Sequence, residues 1–313
     1  MFLSMTPKLE IPEVVAQRVG KPAGEVAAKL EDMAERGLLF RVKKEGSSKY
    51  GTIPFVHGLF EFQVKNLDQE LSELVGVYWD EAFDTAMQKS VDYFLRPIPV
   101  QQSIDVSHNV ASYEDAVEIL KSKPKIVVTE CICRKRTQVL DECCGKELEA
   151  CFMFGSMGEY YLDRKMGREV SLDEAVGILE KCREDGLVTQ PATAQNPAGM
   201  CNCCGDCCGV LKAMNKHPKP AEIVLSNHFA VVSADDCTGC ETCLDRCQMQ
   251  AITINDDEIA EINLDRCIGC GLCVTTCPTE AISLDTKPED EMRIPPATMM
   301  EQMMGMAQKR GII

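Results

Sequence analysis

The sequence predicts an α+β protein of three unlike parts: helices closed by a hairpin, a mixed helical cysteine-rich middle, and a small cysteine unit used twice. Three observations carry that expectation. All 19 cysteines of the 313-residue chain lie between Cys131 and Cys277. Within that span an eleven-residue pattern recurs at an offset of 30 residues, and so regular a repeat is one structural unit duplicated. Residues 1–60 hold 9 Lys+Arg against 7 Asp+Glu, a net +2, whereas the remaining 253 hold 24 against 42, a net −18. The leading part is therefore of a different kind from the rest.

The first part spans residues 1–62. Pro12 to Val19 reads as a short helix with proline in its first turn, and Gly20-Lys21-Pro22 as a turn. Val26, Leu30, Met33 and Ala34 recur at helical spacing up to Gly37. Leu38–Val42 and Tyr50–Ile53 read as strands around the polar loop Lys43–Lys49. Over residues 9–56 this pattern resembles a winged helix-turn-helix domain. In such a domain the second helix would read DNA, and here it carries Glu25, Glu31, Asp32 and Glu35 against Lys29 and Arg36. That net −2 is the wrong sign for a phosphate-lined groove. The loop, with Arg41, Lys43, Lys44 and Lys49 against Glu45, keeps a wing contact open. Protein docking is the expected role, ahead of nucleic-acid binding.

Residues 63–124 form a helical segment. Leu67, Leu71, Leu74, Val75, Tyr78 and Ala82 make an apolar helical stripe. Pro97 and Pro99 mark a break, and Ser112-Tyr113-Glu114-Asp115 can cap a second helix through Leu120. Residues 125–229 are the cysteine-rich part. There Ile126–Val128 reads as a strand, and Ser171-Leu172-Asp173-Glu174 as a capping box whose helix Gly186 closes.

The cysteines occupy about 13% of their 147-residue span, above the roughly 8–10% that flags a special use. Their number is odd, the chain is long, and Met1–Pro7 lacks the basic leader and apolar run of an export signal. No apolar stretch approaches the roughly 18 residues that cross a bilayer. These features point to a soluble cytoplasmic protein whose thiols stay reduced and bind metal.

Cys237, Cys240, Cys243 and Cys247 match Cys267, Cys270, Cys273 and Cys277, each set reading C-x2-C-x2-C-x3-C. Gly239, Gly269 and Gly271 permit tight turns that leave backbone N–H groups free to face sulfur. Residues 230–287 thus resemble a bacterial-type ferredoxin with two [4Fe-4S] clusters. In that pattern the fourth cysteine serves the other cluster. The resemblance implies one cluster on Cys237, Cys240, Cys243 and Cys277, and a second on Cys267, Cys270, Cys273 and Cys247. Pro278 follows Cys277 as the pattern expects, whereas Gln248 follows Cys247. The spacing is unlike that of a zinc ribbon.

Eleven cysteines remain, five of them between Cys201 and Cys208. Cys131, Cys133, Cys151, Cys203, Cys204, Cys207 and Cys208 are the candidate ligands of a third centre, an iron–sulfur cluster before structural zinc or a redox disulfide. Arg134, Lys135 and Arg136 would offset its negative charge, and Cys182 reads as a buried helix thiol. Cys143-Cys144-Gly145, Cys203-Cys204-Gly205 and Cys207-Cys208-Gly209 are similar to the CCG motif of heterodisulfide-reductase-type subunits, which would imply a noncubane cluster, although the last two pairs lie much closer together here. The chain as a whole resembles a group of anaerobe iron–sulfur proteins. These join a winged-helix-like start to a C-x-C-R segment, a cysteine before an aromatic Gly turn (Cys151–Gly155), a CxCCxxCC knot and a two-cluster ferredoxin.

His57, His108, His217 and His228 show no metal-pair spacing and read as structural. No Walker A loop or GxGxxG fingerprint appears, so no nucleotide cofactor is expected. Residues 288–313 form a Met-rich tail in which Met292, Met299, Met300, Met303, Met304 and Met306 make an adaptable apolar face, against the chain's own core or a partner. The expected function is single-electron relay to or from a cytoplasmic redox enzyme of anaerobic metabolism, as an oxidoreductase subunit and not a self-contained enzyme. The acidic bulk suits a partner with a basic patch. The alternatives are a redox-sensing DNA-binding regulator and a catalytic subunit using the 131–208 centre.

Overall fold

The computed structural model describes residues 1–44, 46–88, 93–100, 111–309 and 311. Glu45 and His108 of the readings above fall outside them. The chain opens with α1 (Pro12–Val19), closed by Gly20 in the left-handed conformation, and α2 (Ala23–Glu35). The antiparallel hairpin of β1 (Phe40–Lys44) and β2 (Ser47–Gly51) follows. It is tighter than the expected loop, because Gly46 at φ +79° takes the turn and Val42 pairs with Lys49. Val15, Val26, Leu30, Met33, Leu39 and Tyr50 form this part's own core. Arg41 is buried there, paired with Glu31 and Glu35 of α2 and with Asp163 far along the chain.

Asp68 caps α3 (Gln69–Tyr78) by accepting from the Leu71 N–H at 2.8 Å, and a wide turn at Trp79–Phe83 leads into α4 (Asp84–Gln88). The apolar stripe expected here is corrected. Leu74 and Tyr78 are 58% and 43% exposed, and the buried face is Ser72, Val75, Trp79 and Phe83. Aromatic packing sets that rotation: the Trp79 ring centroid lies 4.2 Å from Phe83 and 5.9 Å from Phe60. Asp115 caps the short α5 (Ala116–Lys121) through the N–H groups of Val117 and Glu118.

The middle part is a five-stranded antiparallel sheet flanked by helices. In chain order it comprises β3 (Ile126–Glu130), α6 (Ile132–Val139), β4 (Glu149–Phe154), α7 (Gly155–Asp163), β5 (Arg168–Val170), α8 (Leu172–Glu184), β6 (Val188–Pro191), β7 (Gly199–Cys203), α9 (Gly209–Lys216) and α10 (Pro220–Ile223). The strand order is β5-β3-β4-β7-β6. Side chains alternate between the two faces of a strand. Val127, Cys151, Met153, Cys201 and Cys203 accordingly join one core, and Ile126, Val128, Phe152, Phe154, Met200 and Cys204 the other. Ser171 caps α8 by accepting from the Glu174 N–H. Cys182 is buried on that helix.

The last part pairs β8 (His228–Val232) with β11 (Ile282–Thr286), and β9 (Ile252–Ile254) with β10 (Ala260–Ile262). The short α11 (Thr242–Arg246) lies between them in sequence, and α12 (Met299–Lys309) ends the described chain. Met300 and Met304 of α12 are exposed, and its buried residue is Gln302. Among the described residues no helix is long and apolar enough to cross a membrane.

Candidate metal centres

The repeat in sequence is a repeat in backbone conformation. Gly239 and Gly269 take φ of +64° and +65°, and Gln250 and Glu280 take +52° and +56°. Glu241 adopts the left-handed conformation that Gly271 adopts 30 residues on. These turns fold each half around a hollow. One is lined by Cys237, Cys240, Cys243 and Cys277. The other is lined by Cys247, Cys267, Cys270 and Cys273. Each half thus delivers its fourth cysteine to the hollow of the other. The backbone N–H groups of Ala260, Ala230 and Ala251 donate to the sulfurs of Cys237, Cys267 and Cys247 at 3.4, 3.4 and 3.2 Å. Four convergent thiols with N–H donors suit an iron–sulfur cluster. Burial pushes the Cys270 thiol up to about 12, and a bound cation would favour its thiolate form there.

The middle part builds a different arrangement. Cys131 precedes α6 and Cys133 lies in its first turn; Cys151 is on β4, Cys201 and Cys203 are on β7, and Cys208 precedes α9. The six thiols of Cys131, Cys133, Cys151, Cys201, Cys203 and Cys208 form a ring around one hollow. His57, Glu61 and Tyr161 also line this hollow. His57 Nε2 lies 3.5 Å from Cys201 Sγ, and burial pushes its imidazole down to about 4. Burial pushes the Glu61 carboxyl up to about 7, although it accepts from the Gly58 N–H at 2.6 Å.

Of the seven cysteines singled out for this centre, Cys131, Cys133, Cys151, Cys203 and Cys208 line the hollow. Cys204 and Cys207 belong to the core on the opposite side of the sheet. The pleat separates Cys203 from Cys204, and the turn into α9 separates Cys207 from Cys208. Cys201, which the sequence marks as the first cysteine of the CxCCxxCC knot, also lines the hollow, and His57 and Glu61 stand there without a sequence signal that marked them. The three basic residues after Cys133 also divide. Arg134 alone is buried among the thiols, with Nη1 donating to the Asn202 carbonyl at 3.1 Å and lying 3.9 Å from Cys204 Sγ. Lys135 pairs with Glu130, and Arg136 Nε donates to the Ser72 carbonyl at 2.7 Å. Arg134 Nε and Nη2 have no hydrogen-bond partner among the described residues. A buried cation with free donors fits an anionic group close by.

Comparison with known proteins identifies the class of the last part. Residues 230–284 match the family described as a 4Fe-4S dicluster domain, so this part is an iron–sulfur domain. No curated protein and no solved structure matches the chain.

Proposed function

We propose that the chain is an iron–sulfur electron-transfer protein of the cytoplasm, a subunit of a larger oxidoreductase. Single electrons pass between a redox partner and a third iron–sulfur centre within the six-thiol ring, by way of the two clusters of the ferredoxin part. Clusters, when bound, store and release single electrons without rearranging bonds in a substrate. One observation carries the reading: Ile268, Leu272 and the thiols of Cys247, Cys267 and Cys270 pack against the same apolar core as Cys131, Cys151, Cys201, Cys203 and Cys208. The second hollow of the repeat and the thiol ring therefore share dry packing. At the other end Cys240 is exposed, so the first hollow meets solvent beside Glu241, which lines it, and a basic partner surface would dock there.

The chain's residues supply what such a relay needs. Leu272 and Ile268 exclude water, the alanine N–H groups hold sulfur, and Arg134 offsets charge at the ring. The winged-helix-like start supports docking within protein over DNA binding, because two of its four basic hairpin residues, Arg41 and Lys43, are already engaged. Arg41 is buried against Asp163, and Lys43 Nζ lies 3.0 Å from the same carboxylate. The test is a reductive titration of anaerobically prepared full-length protein. Three separable one-electron signals are expected, and Cys133→Ser should abolish one while leaving two. Only two signals in the wild type would overturn the reading. A second reading, that the ring is a catalytic centre, is favoured by His57 and Glu61 in the same hollow. It requires a small molecule that perturbs the third signal and is reduced there.

A further inference from the structure

Four thiols stand apart from the ring. The sulfurs of Cys143, Cys144 and Cys207 lie within 4.8 Å of one another. Cys144 Sγ is 3.7 Å from Cys204 Sγ, and Cys204 and Cys207 belong to one core, with Cys144 packed against it. Two of the four are the halves of adjacent pairs that the sheet and the α9 turn aim away from the ring. We propose that Cys143, Cys144, Cys204 and Cys207 form a tetrathiolate site for a single zinc ion, separate from every iron–sulfur centre of the chain.

Spacing decides between an ion and a cluster. A tetrahedral ion with metal–sulfur bonds of about 2.3 Å holds its sulfurs about 3.8 Å apart. The thiolates of a cubane stand on a wider tetrahedron, because the cluster itself fills the middle. Cys144 Sγ and Cys204 Sγ, 3.7 Å apart, have the first spacing, and the sulfurs of Cys143, Cys144 and Cys207 all lie within 4.8 Å of one another, short of the second. The surroundings are those of bound thiolates. Thr137 Oγ1 donates to Cys207 Sγ at 3.1 Å. Arg134 supplies a positive charge beside Cys204. Such donors hold sulfur in the orientation a metal requires and temper its charge. Lys146 and Asp206 pair across the two loops at 3.4 Å. On binding, the thiols release their protons to solvent and form four zinc–sulfur bonds, with no change of oxidation state. The ion would staple the segment after α6 to the loop that carries Cys203 and Cys208 into the ring.

The test is metal analysis and zinc X-ray absorption on anaerobically prepared full-length protein. We expect about one zinc per chain with four sulfur neighbours at about 2.3 Å, beside about twelve irons if the ring holds a cubane. Cobalt grown into the site should give the charge-transfer bands of a tetrahedral thiolate. Cys143→Ser with Cys207→Ser should remove the zinc. A wild-type chain free of zinc with about sixteen irons would mean a cubane here and overturn the proposal. So would a zinc shell containing fewer than four sulfurs, or zinc retained at full occupancy in the double variant. The iron count and the three redox signals test the electron-relay reading independently, so either can fail alone.

Discussion

Gln248 Oε1 accepts a hydrogen bond from the backbone N–H of Gly205 at 2.6 Å, and the Gln248 carbonyl accepts another from Asn215 Nδ2 at 2.7 Å. Gln248 follows Cys247, at the position that Pro278 holds in the second half of the repeat. Proline offers no amide side chain. The one residue that departs from the ferredoxin pattern is thus a fastening between the iron–sulfur domain and the loop holding Cys204 and Cys207. Arg266 reinforces it, with Nη2 3.0 Å from Asn215 Oδ1.

Gln248→Pro restores the repeat's symmetry and removes an acceptor from a part-buried N–H. The iron content of the domain should be unchanged. The stability of the full chain should fall by about 1 kcal/mol, the net worth of one such bond. A urea denaturation midpoint equal to the wild type's would show that the contact contributes nothing.

Gly269 has a stricter reason to be glycine. At φ +65° a Cβ would stand 2.2 Å from the His228 carbonyl oxygen, which is backbone and cannot move aside cheaply. Gly269→Ala should therefore distort the turn between Cys267 and Cys270 and lower iron by about four atoms per chain. Gly177→Ala is the matched control. It lies within α8 with nothing inside 4 Å of the added carbon, and should raise stability by about 0.5–1 kcal/mol. Equal iron in the two variants would refute the steric argument.

Features governed by local chemistry were legible in the sequence. Pro12 and Gly20 bound α1, and Ser171 and Gly186 bound α8, because caps and left-handed turns depend on the residue and its immediate neighbours. The paired cysteine turns were legible for the same reason. The rotation of α3 was not, because Phe60, an element away, decides which face is buried. The division of Cys203 from Cys204 needed β7 to be seen as a strand, and a run of cysteines hides the alternation that marks one. His57 meets Cys201 across 144 positions of chain, a contact no spacing rule reaches.

Arg134 should tune the ring centre. It is fully buried, its Nη1 lies 3.9 Å from Cys204 Sγ, and its charge acts on the thiols of Cys131 and Cys151 at the ring. Adding an electron adds negative charge, which a nearby cation stabilises, so removing the cation makes reduction harder. Arg134→Met should shift the third signal to more negative potential and leave the two ferredoxin signals in place. It should also destabilise the chain by about 3–5 kcal/mol, as when a buried charge loses its partner. A third signal at unchanged potential in a variant that retains its iron would exclude Arg134 from this role.

Acid should release the N-terminal part from the rest. The hydrogen bond from Arg41 holds the Glu35 carboxyl below its ordinary 4.5, and Arg164 adds to the effect. Asp163 is pushed up by burial, yet the Lys43 hydrogen bond and the Arg41 charge hold it below 3.8. A carboxyl depressed in the folded state adds stability above its unfolded value and loses it as pH falls through the folded one. The contribution is therefore complete above about pH 5 and fades below about pH 4. Both carboxylates are partly exposed, so it is small and weakens with salt. Arg41→Met leaves Glu31, Glu35 and Asp163 facing one another without their shared cation, which removes the largest cause of the depression at Glu35 and part of that at Asp163. Its unfolding free energy should be lower than the wild type's at pH 7, and the gap should narrow as pH falls from 5 to 3. Limited proteolysis at the 52–68 segment, followed over that range, would report the release. A gap that stays constant with pH would show that Arg41 acts through packing and not through these charges.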